Sequence, residues 1–476
     1  MLVSAGAVST LVCVGGLLRR VWLTGPIRHT VGGWSSPLGI ELYADGLSTA
    51  LLAVTAVIMG TAGFYVVDAI RHKNGHTEGY DSDFFWPLWF FLWTTFNAVF
   101  LSRDVFNLYI TLELLVLCAV PLLILAGSGA ALIAGMRYLL VAMLGSMCYL
   151  LGVALLYAQY DTLSIPQLGA LMVSSPGTAA AVVLMTLGLL LKTALFPLHF
   201  WLPSAHGNAP AAVSALLSGL VVKASFYLLV RLWFGAFAGI VSVGAGNFLG
   251  LLGSLAIIWG SLLALRQQRL KLVIAYSTVA QIGYFFLLFP LVIGGTQLCA
   301  PSDRVDWLTM AGSGAMYFML SHALAKAAMF LAAGCIAHAA ASDRLNEVIG
   351  IGRYLPVSVF AFALAGVSLM GLPPSGGFVG KWMMLKAAFA TNQWWWAMVI
   401  SLGGLLAAAY VFMVLKQTVV FRLVDIRFYE VPRGMQWAAL LLALFSLLLG
   451  VSGQVPLDLL AVGSPFSPRA GQGWLP

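Results

Sequence analysis

Hydrophobic patterning divides the 476-residue chain into apolar runs separated by short clusters of polar residues, proline and glycine. A helix that crosses a bilayer core about 30 Å thick needs about 20 such residues. The pattern predicts thirteen spans, over 2–22, 47–70, 84–102, 105–126, 131–158, 178–200, 208–233, 246–265, 272–294, 309–338, 354–390, 395–420 and 435–453. Two are interrupted. The run from 178 stops at Pro197 and resumes after Pro203, and the run 354–390 is too long for one straight helix and carries Gly371-Leu372-Pro373-Pro374 in its middle. Residues 23–46, with Gly32-Gly33-Trp34-Ser35-Ser36-Pro37, read as a small polar hairpin or loop, and Trp394-Trp395-Trp396 as an interface anchor. The predicted fold class is an all-α polytopic membrane protein.

Composition excludes the alternatives. Apolar side chains make up 61% of the chain and charged ones 8%, where soluble domains carry about 25% charge. Twenty-four basic and sixteen acidic side chains cannot cover a soluble protein of this length. A soluble enzyme, a disordered chain and a nucleic-acid binder are therefore excluded. The five cysteines (Cys13, Cys118, Cys148, Cys299, Cys335) form no CxxC pair and read as buried structural thiols. The first apolar run is followed, not preceded, by Arg19-Arg20, the reverse of a cleavable signal.

The net charge of +8 changes meaning once positions are sorted. Alternate loops hold twelve basic residues on one side: Arg71, Lys73, Arg137, Arg266, Arg269, Lys271, Arg344, Arg353, Lys416, Arg422, Arg427 and Arg433. The other side holds seven: Arg19, Arg20, Arg28, Arg103, Arg231, Arg304 and Arg469. The positive-inside rule puts the first set in the cytoplasm and the C-terminal tail outside, with Arg19, Arg20 and Arg28 running against the bias. Five lysines remain inside apolar runs: Lys192, Lys223, Lys326, Lys381 and Lys386. Among the acids, Glu113 alone lies deep in a run, while Asp45 and Asp68 sit near helix ends and read as hydrated.

Each mid-membrane charge costs about 2.5–3.5 kcal/mol on insertion scales. These lysines must share a hydrated interior, pair with Glu113, or spend part of the time neutral. Snorkelling to an interface suits Lys386, which lies further along its segment. It does not suit Lys192, Lys223 or Lys326, which are flanked by about ten apolar residues. Lysine can give up its proton when buried and arginine cannot, so the choice of lysine favours a proton relay over a fixed anion site. His322 and Lys326 are four residues apart and share a helix face. A histidine there serves either a relay or a structural bond to a carbonyl. His199 and His206 flank the first break, in capping or functional roles. No HExxH, C2H2 or carboxylate cluster is present, so no metal or cofactor site is expected. The Gly244–Gly250 run opens an apolar span with no preceding strand and reads as close helix packing.

Both breaks carry a lysine within two turns: Lys192 before Pro197, and Lys381 after Pro373 and Pro374. Interrupted spans at corresponding positions of two halves are the sequence pointer to inverted-repeat transporters. The expected organisation is 1–83, N-terminal helices and polar hairpin; 84–233 and 246–420, two inverted five-helix repeats; and 421–476, a C-terminal helix and tail.

These residues resemble a known family. Leu191-Lys192-Thr193-Ala194-Leu195-Phe196-Pro197-Leu198-His199-Phe200-Trp201-Leu202-Pro203-Ser204-Ala205-His206 is similar to the antiporter-like subunits of respiratory complex I and of Mrp-type cation/proton antiporters. So are Asp104-Val105-Phe106-Asn107-Leu108-Tyr109 leading to Glu113, Ala275-Tyr276-Ser277-Thr278-Val279-Ala280-Gln281-Ile282-Gly283, Ser321-His322-Ala323-Leu324-Ala325-Lys326, and Gly371-Leu372-Pro373-Pro374-Ser375-Gly376-Gly377-Phe378-Val379-Gly380-Lys381. The likeness runs from about residue 30 to 450 and is greatest to the D-type Mrp subunit, with membrane-bound hydrogenase subunits close behind.

The resemblance implies that Glu113 pairs with Lys192, that Lys223 is the central link, that His322 and Lys326 follow, and that Lys381 is the terminal station. It implies work inside a multi-subunit complex, with other membrane subunits as partners, protons and Na+ as the ions moved, and the cell inner membrane as the location. The family usually has fourteen spans and this chain begins at the second; either its start is truncated or its N-terminus is cytoplasmic. Arg137, at a cytoplasmic helix end, is given no transport role. The rival reading, of another class, is a coupling or scaffold subunit of a redox or inorganic-carbon-uptake complex. No nucleophile–base pair or cofactor motif supports a stand-alone enzyme.

Overall fold

The computed structural model describes residues 2–34, 39–72, 79–295, 304–420 and 428–466. Ser35, Ser36, Pro37, Lys73, Cys299, Arg422, Arg427 and Arg469 lie outside the described residues.

The helices, in order, are α1 (Leu2–Thr24), α2 (Gly46–Arg71), α3 (Phe85–Leu101), α4 (Val105–Ile124), α5 (Gly129–Tyr160), α6 (Ile165–Leu171), α7 (Pro176–Thr193) and α8 (Leu202–Asn208). Then follow α9 (Ala211–Ala236), α10 (Val243–Leu265), α11 (Leu270–Gly294), α12 (Arg304–Ala340), α13 (Pro356–Met370) and α14 (Gly376–Ala390). The last three are α15 (Trp394–Val419), α16 (Arg433–Val451) and α17 (Gln454–Ala461). Eleven of these are long and apolar enough to cross a membrane, and the shorter apolar α3 and α13 bring the count to the thirteen expected. The hairpin expected over 23–46 is present: β1 (Ile27–Thr30) pairs antiparallel with β2 (Glu41–Ala44), Ile27 opposite Ala44. The three short helices α6, α8 and α17 are too brief to register in the hydropathy pattern.

The two broken spans end alike. α7 stops at Ala194, left-handed at φ 58°, whose N–H returns to the Leu190 and Leu191 carbonyls. α13 stops at Gly371, φ 82°, whose N–H returns to Val367 and Ser368. A left-handed residue turns the chain off the helix axis and frees the last carbonyls. Pro197 and Pro374, each preceded by a cis peptide bond, then keep the helix from resuming at once. A Cβ on Gly371 would stand 2.7 Å from Lys381 Cδ, so glycine is needed there for conformation and for space.

α9, α11 and α12 fill the centre of the bundle, whereas α1, α15 and α16 turn much of their surface outward. Small residues let the helices close up. A Cβ on Gly188 of α7 would be 2.3 Å from the Gly145 carbonyl of α5, so these two helices touch backbone to backbone. That contact brings Ser146 and Lys192 to the same point.

Four expectations need correction. Asp45 is not hydrated: it is fully buried as the N-cap of α2, its Oδ1 accepting from Ser48 N–H and from Arg231 Nη2 at 2.5 Å. Asp68 is also largely covered, its Oδ2 accepting from the Met435 N–H. Lys271, counted with the loops, is buried and donates to the Ala209 carbonyl. Among the described cysteines, all read as buried thiols, Cys118 and Cys335 are buried, but Cys148 is only half-buried and Cys13 is exposed. Residues near the ends of apolar runs can be drawn inward by a partner from a distant helix, which a linear pattern does not show.

Candidate functional site

Lys192, Lys223, Lys326 and Lys381 are all buried, and every one of their ammonium groups meets oxygen. Lys192, in the last turn of α7, donates to Glu113 Oε1 of α4 at 3.1 Å. Its side chain is 4% exposed and that of Glu113 24%. The Ser146 hydroxyl of α5 donates to the same carboxylate oxygen. Beside this pair the break is stitched by Trp201, whose Nε1 donates to the Leu191 carbonyl at 3.0 Å while its ring stacks on Tyr138 at 4.4 Å.

Lys223 sits on α9 just past a π-helical turn, Leu217–Val221. Such turns open carbonyls that a regular helix would consume. The Lys223 ammonium donates to one of them, Ser218 O, and the Phe285 ring centroid lies 6.0 Å away. Lys326, on α12, donates to the Ile274 carbonyl at 3.0 Å and to the Ser277 hydroxyl, both on α11. Lys381, on α14, donates to the Leu369 carbonyl at 2.7 Å and to Met370 at 3.4 Å. Those are terminal carbonyls of α13, freed by the break, so the negative end of one half-helix holds the cation of the other. The rings of Tyr284 and Phe318 cover the same ammonium, at 4.1 and 5.2 Å.

His322 is wholly buried between the Phe285 and Phe318 rings, with neither ring nitrogen hydrogen-bonded among the described residues. His206 is buried between Trp201 and Phe330, one turn before α9. His199 stacks on Phe196 beside the first break. Lys386 is exposed, its ammonium over the Trp382 ring. The structure thus gathers Glu113 with Lys192, puts Lys223 and Lys326 on the central helices, and leaves Lys386 outside. No cluster of three or more metal-ligating side chains occurs among the described residues.

Hydropathy did not single out the groups that hold these lysines. Ser146, Ser218 and Ser277 look like any serine in an apolar run. Ser277 and Gln281 at i, i+4 within α11 were the available signal for a polar stripe.

Residues 102–407 match the Proton_antipo_M family, NADH:quinone oxidoreductase/Mrp antiporter, TM. The chain is 32% identical to the NADH-quinone oxidoreductase subunit N of Desulforudis audaxviator (strain MP104C), over 87% of this chain and 80% of that one. It is 28% identical to the D-type subunit of the Na(+)/H(+) antiporter of Bacillus subtilis (strain 168), over 85% and 78%. A chain in the solved structure of the Mrp complex from Dietzia sp. DQ12-45-1b superposes with a TM-score of 0.86 at 24% identity, covering 98% of this chain and 91% of that one. The fold, the lysine-bearing breaks and the sequence likeness agree: this multi-pass membrane protein belongs to the NADH:quinone oxidoreductase/Mrp antiporter membrane family.

Proposed function

We propose that this chain is a proton-translocating, antiporter-like subunit of a multi-subunit complex in the cell inner membrane. Protons move along Glu113, Lys192, Lys223, His322, Lys326 and Lys381, and Na+ is the exchanged cation. The observation that carries the reading is four buried lysines, each hydrogen-bonded to oxygen, one of them paired with Glu113 at 3.1 Å. Ammonium groups with so few partners gain no stability from burial. They make sense where a proton is held and released. The order of elements supports two five-span units, 84–233 and 246–420, whose fourth spans are the broken ones. The basic-residue bias puts the 266–271 and 339–353 connections on the cytoplasmic side.

A second reading has its own support, the 32% identity to a quinone oxidoreductase subunit against 28% to an antiporter subunit. Here the same relay is driven by a redox partner. One experiment separates them. The complex purified through a tag on this chain is reconstituted in proteoliposomes, and proton flux is followed with an entrapped dye with and without a Na+ gradient. Na+-driven flux without electron donor supports antiport; flux that appears only with a quinone-reducing donor supports the redox reading; no flux under either condition refutes both.

A further inference from the structure

The lysines at the two breaks are held by different chemistry. Lys192 faces a carboxylate, Glu113. The described oxygen partners of Lys381 are two backbone carbonyls, Leu369 and Met370, at the end of α13. A carboxylate brings a full charge, whereas a carbonyl brings only a partial one, so its effect on an ammonium depends on where it is held. Whatever pins the last turn of α13 therefore acts on Lys381.

That turn is pinned at Ser368, the residue before Leu369. Ser368 of α13, Ser321 of α12 and Ser446 of α16 are all buried, and their hydroxyls close a triangle. The Ser446 hydroxyl donates to Ser368 Oγ at 2.8 Å, and Ser321 Oγ lies 2.9 Å from Ser368 Oγ and 3.1 Å from Ser446 Oγ. Three hydroxyls own three hydrogens, and a closed triangle uses all three. It is a joint between helices, with no hydrogen left over to hand a proton onward. A serine in an apolar helix can instead bond its own backbone, as Ser254 does with the Gly250 carbonyl at 2.9 Å.

Two further contacts bring α16 to the same place. The Tyr317 hydroxyl of α12 donates to the Leu449 carbonyl of α16. Gly450 of α16 lies so close to the second break that a Cβ there would collide with the Pro374 carbonyl. α16 lies outside both five-span units proposed above, so the second break is closed by a helix that neither unit contains.

We propose that the Ser321–Ser368–Ser446 triangle fixes the Leu369 and Met370 carbonyls on the Lys381 ammonium, which makes Ser446 a positioning residue for proton exchange at Lys381; this rests on the relay proposed above. Ser446 touches neither Lys381 nor the transported proton. It acts through Ser368 and the turn of α13 that follows.

The test uses the complex in proteoliposomes with an entrapped pH-sensitive dye, read over a range of pH. Ser446→Ala removes one corner of the triangle. The carbonyls then hold the ammonium form less firmly, and the pH profile of proton flux should move toward acid by about one unit, a tenfold change in proton affinity. The titratable neighbours of Lys381 are Tyr284 of α11 and His322 of α12, and none of these variants replaces them. Ser446→Cys keeps a weaker donor at the same corner and should move the profile part of the way. Ser254→Ala removes a buried hydroxyl that bonds its own helix and should leave the profile in place. An unmoved profile in Ser446→Cys overturns the joint even where Ser446→Ala fails to assemble, and so does an equal shift in Ser254→Ala. An unmoved profile in Ser446→Ala with flux lost in Lys381→Ala overturns the joint and leaves the relay standing. Normal flux in Lys381→Ala overturns the relay itself.

Discussion

The Glu113–Lys192 pair offers the sharpest perturbation. Its atoms are 3.1 Å apart, and at an effective dielectric of about 20 their attraction is about 5 kcal/mol. Removing one partner of a buried pair costs about 3–5 kcal/mol, because the other charge is left without compensation. Glu113 keeps 24% of its side chain exposed, which favours the lower end, about 3 kcal/mol. If that energy sets how Lys192 holds its proton, Glu113→Gln slows proton flux by about two orders of magnitude. The assay is flux in proteoliposomes, normalised to complex co-purified through a tag on this chain. The cycle adds a stricter requirement. Two residues acting as one unit are not additive, so Glu113→Gln with Lys192→Ala should be no slower than the slower single variant. Losses that multiply, or Glu113→Gln flux near the wild-type level, would refute the reasoning.

Other predictions follow from neighbouring geometry. Lys386→Gln should leave flux unchanged in the same assay, because its ammonium sits outside on the Trp382 ring. Gly371→Ala places a side chain at φ 82° and against Lys381 Cδ; it should lower thermal stability in detergent by about 1–2 kcal/mol from conformation alone and slow proton flux. Asp104 caps α4 through the Phe106 and Asn107 N–H groups, and burial raises its carboxyl above the usual value of 3.8. A raised acid takes its proton more readily in the folded state, so stability is lost as pH rises from 3.8 through the raised value. Asp104→Asn should flatten that acid-side dependence in thermal melts while keeping the cap, and Asp104→Ala should cost about 0.5–2 kcal/mol at pH 7.

The sequence exposed the lysines because so little else in it is charged, and the breaks because proline and glycine interrupt otherwise continuous runs. Length alone supported thirteen spans, since each apolar run had to cross a bilayer. Partnership was harder to see. Glu113 and Lys192 are 79 positions apart, and only the family resemblance suggested that they meet. Asp45, read as a hydrated helix end, and Arg231, counted with the loops, are 186 positions apart and proved to be an ion pair with Asp45 fully buried, because burial at a run's end depends on what packs over it. The serine hydroxyls stayed silent for another reason. A hydroxyl in an apolar run bonds its own helix as readily as a distant lysine, and the sequence does not distinguish the two.

The most direct measurement is proton flux through the assembled complex with Lys223→Ala. Lys223 is fully buried on the central helix α9, its ammonium on the Ser218 carbonyl. The relay predicts that flux disappears while the partner subunits still co-purify. Flux at the wild-type rate in an intact Lys223→Ala complex would contradict it.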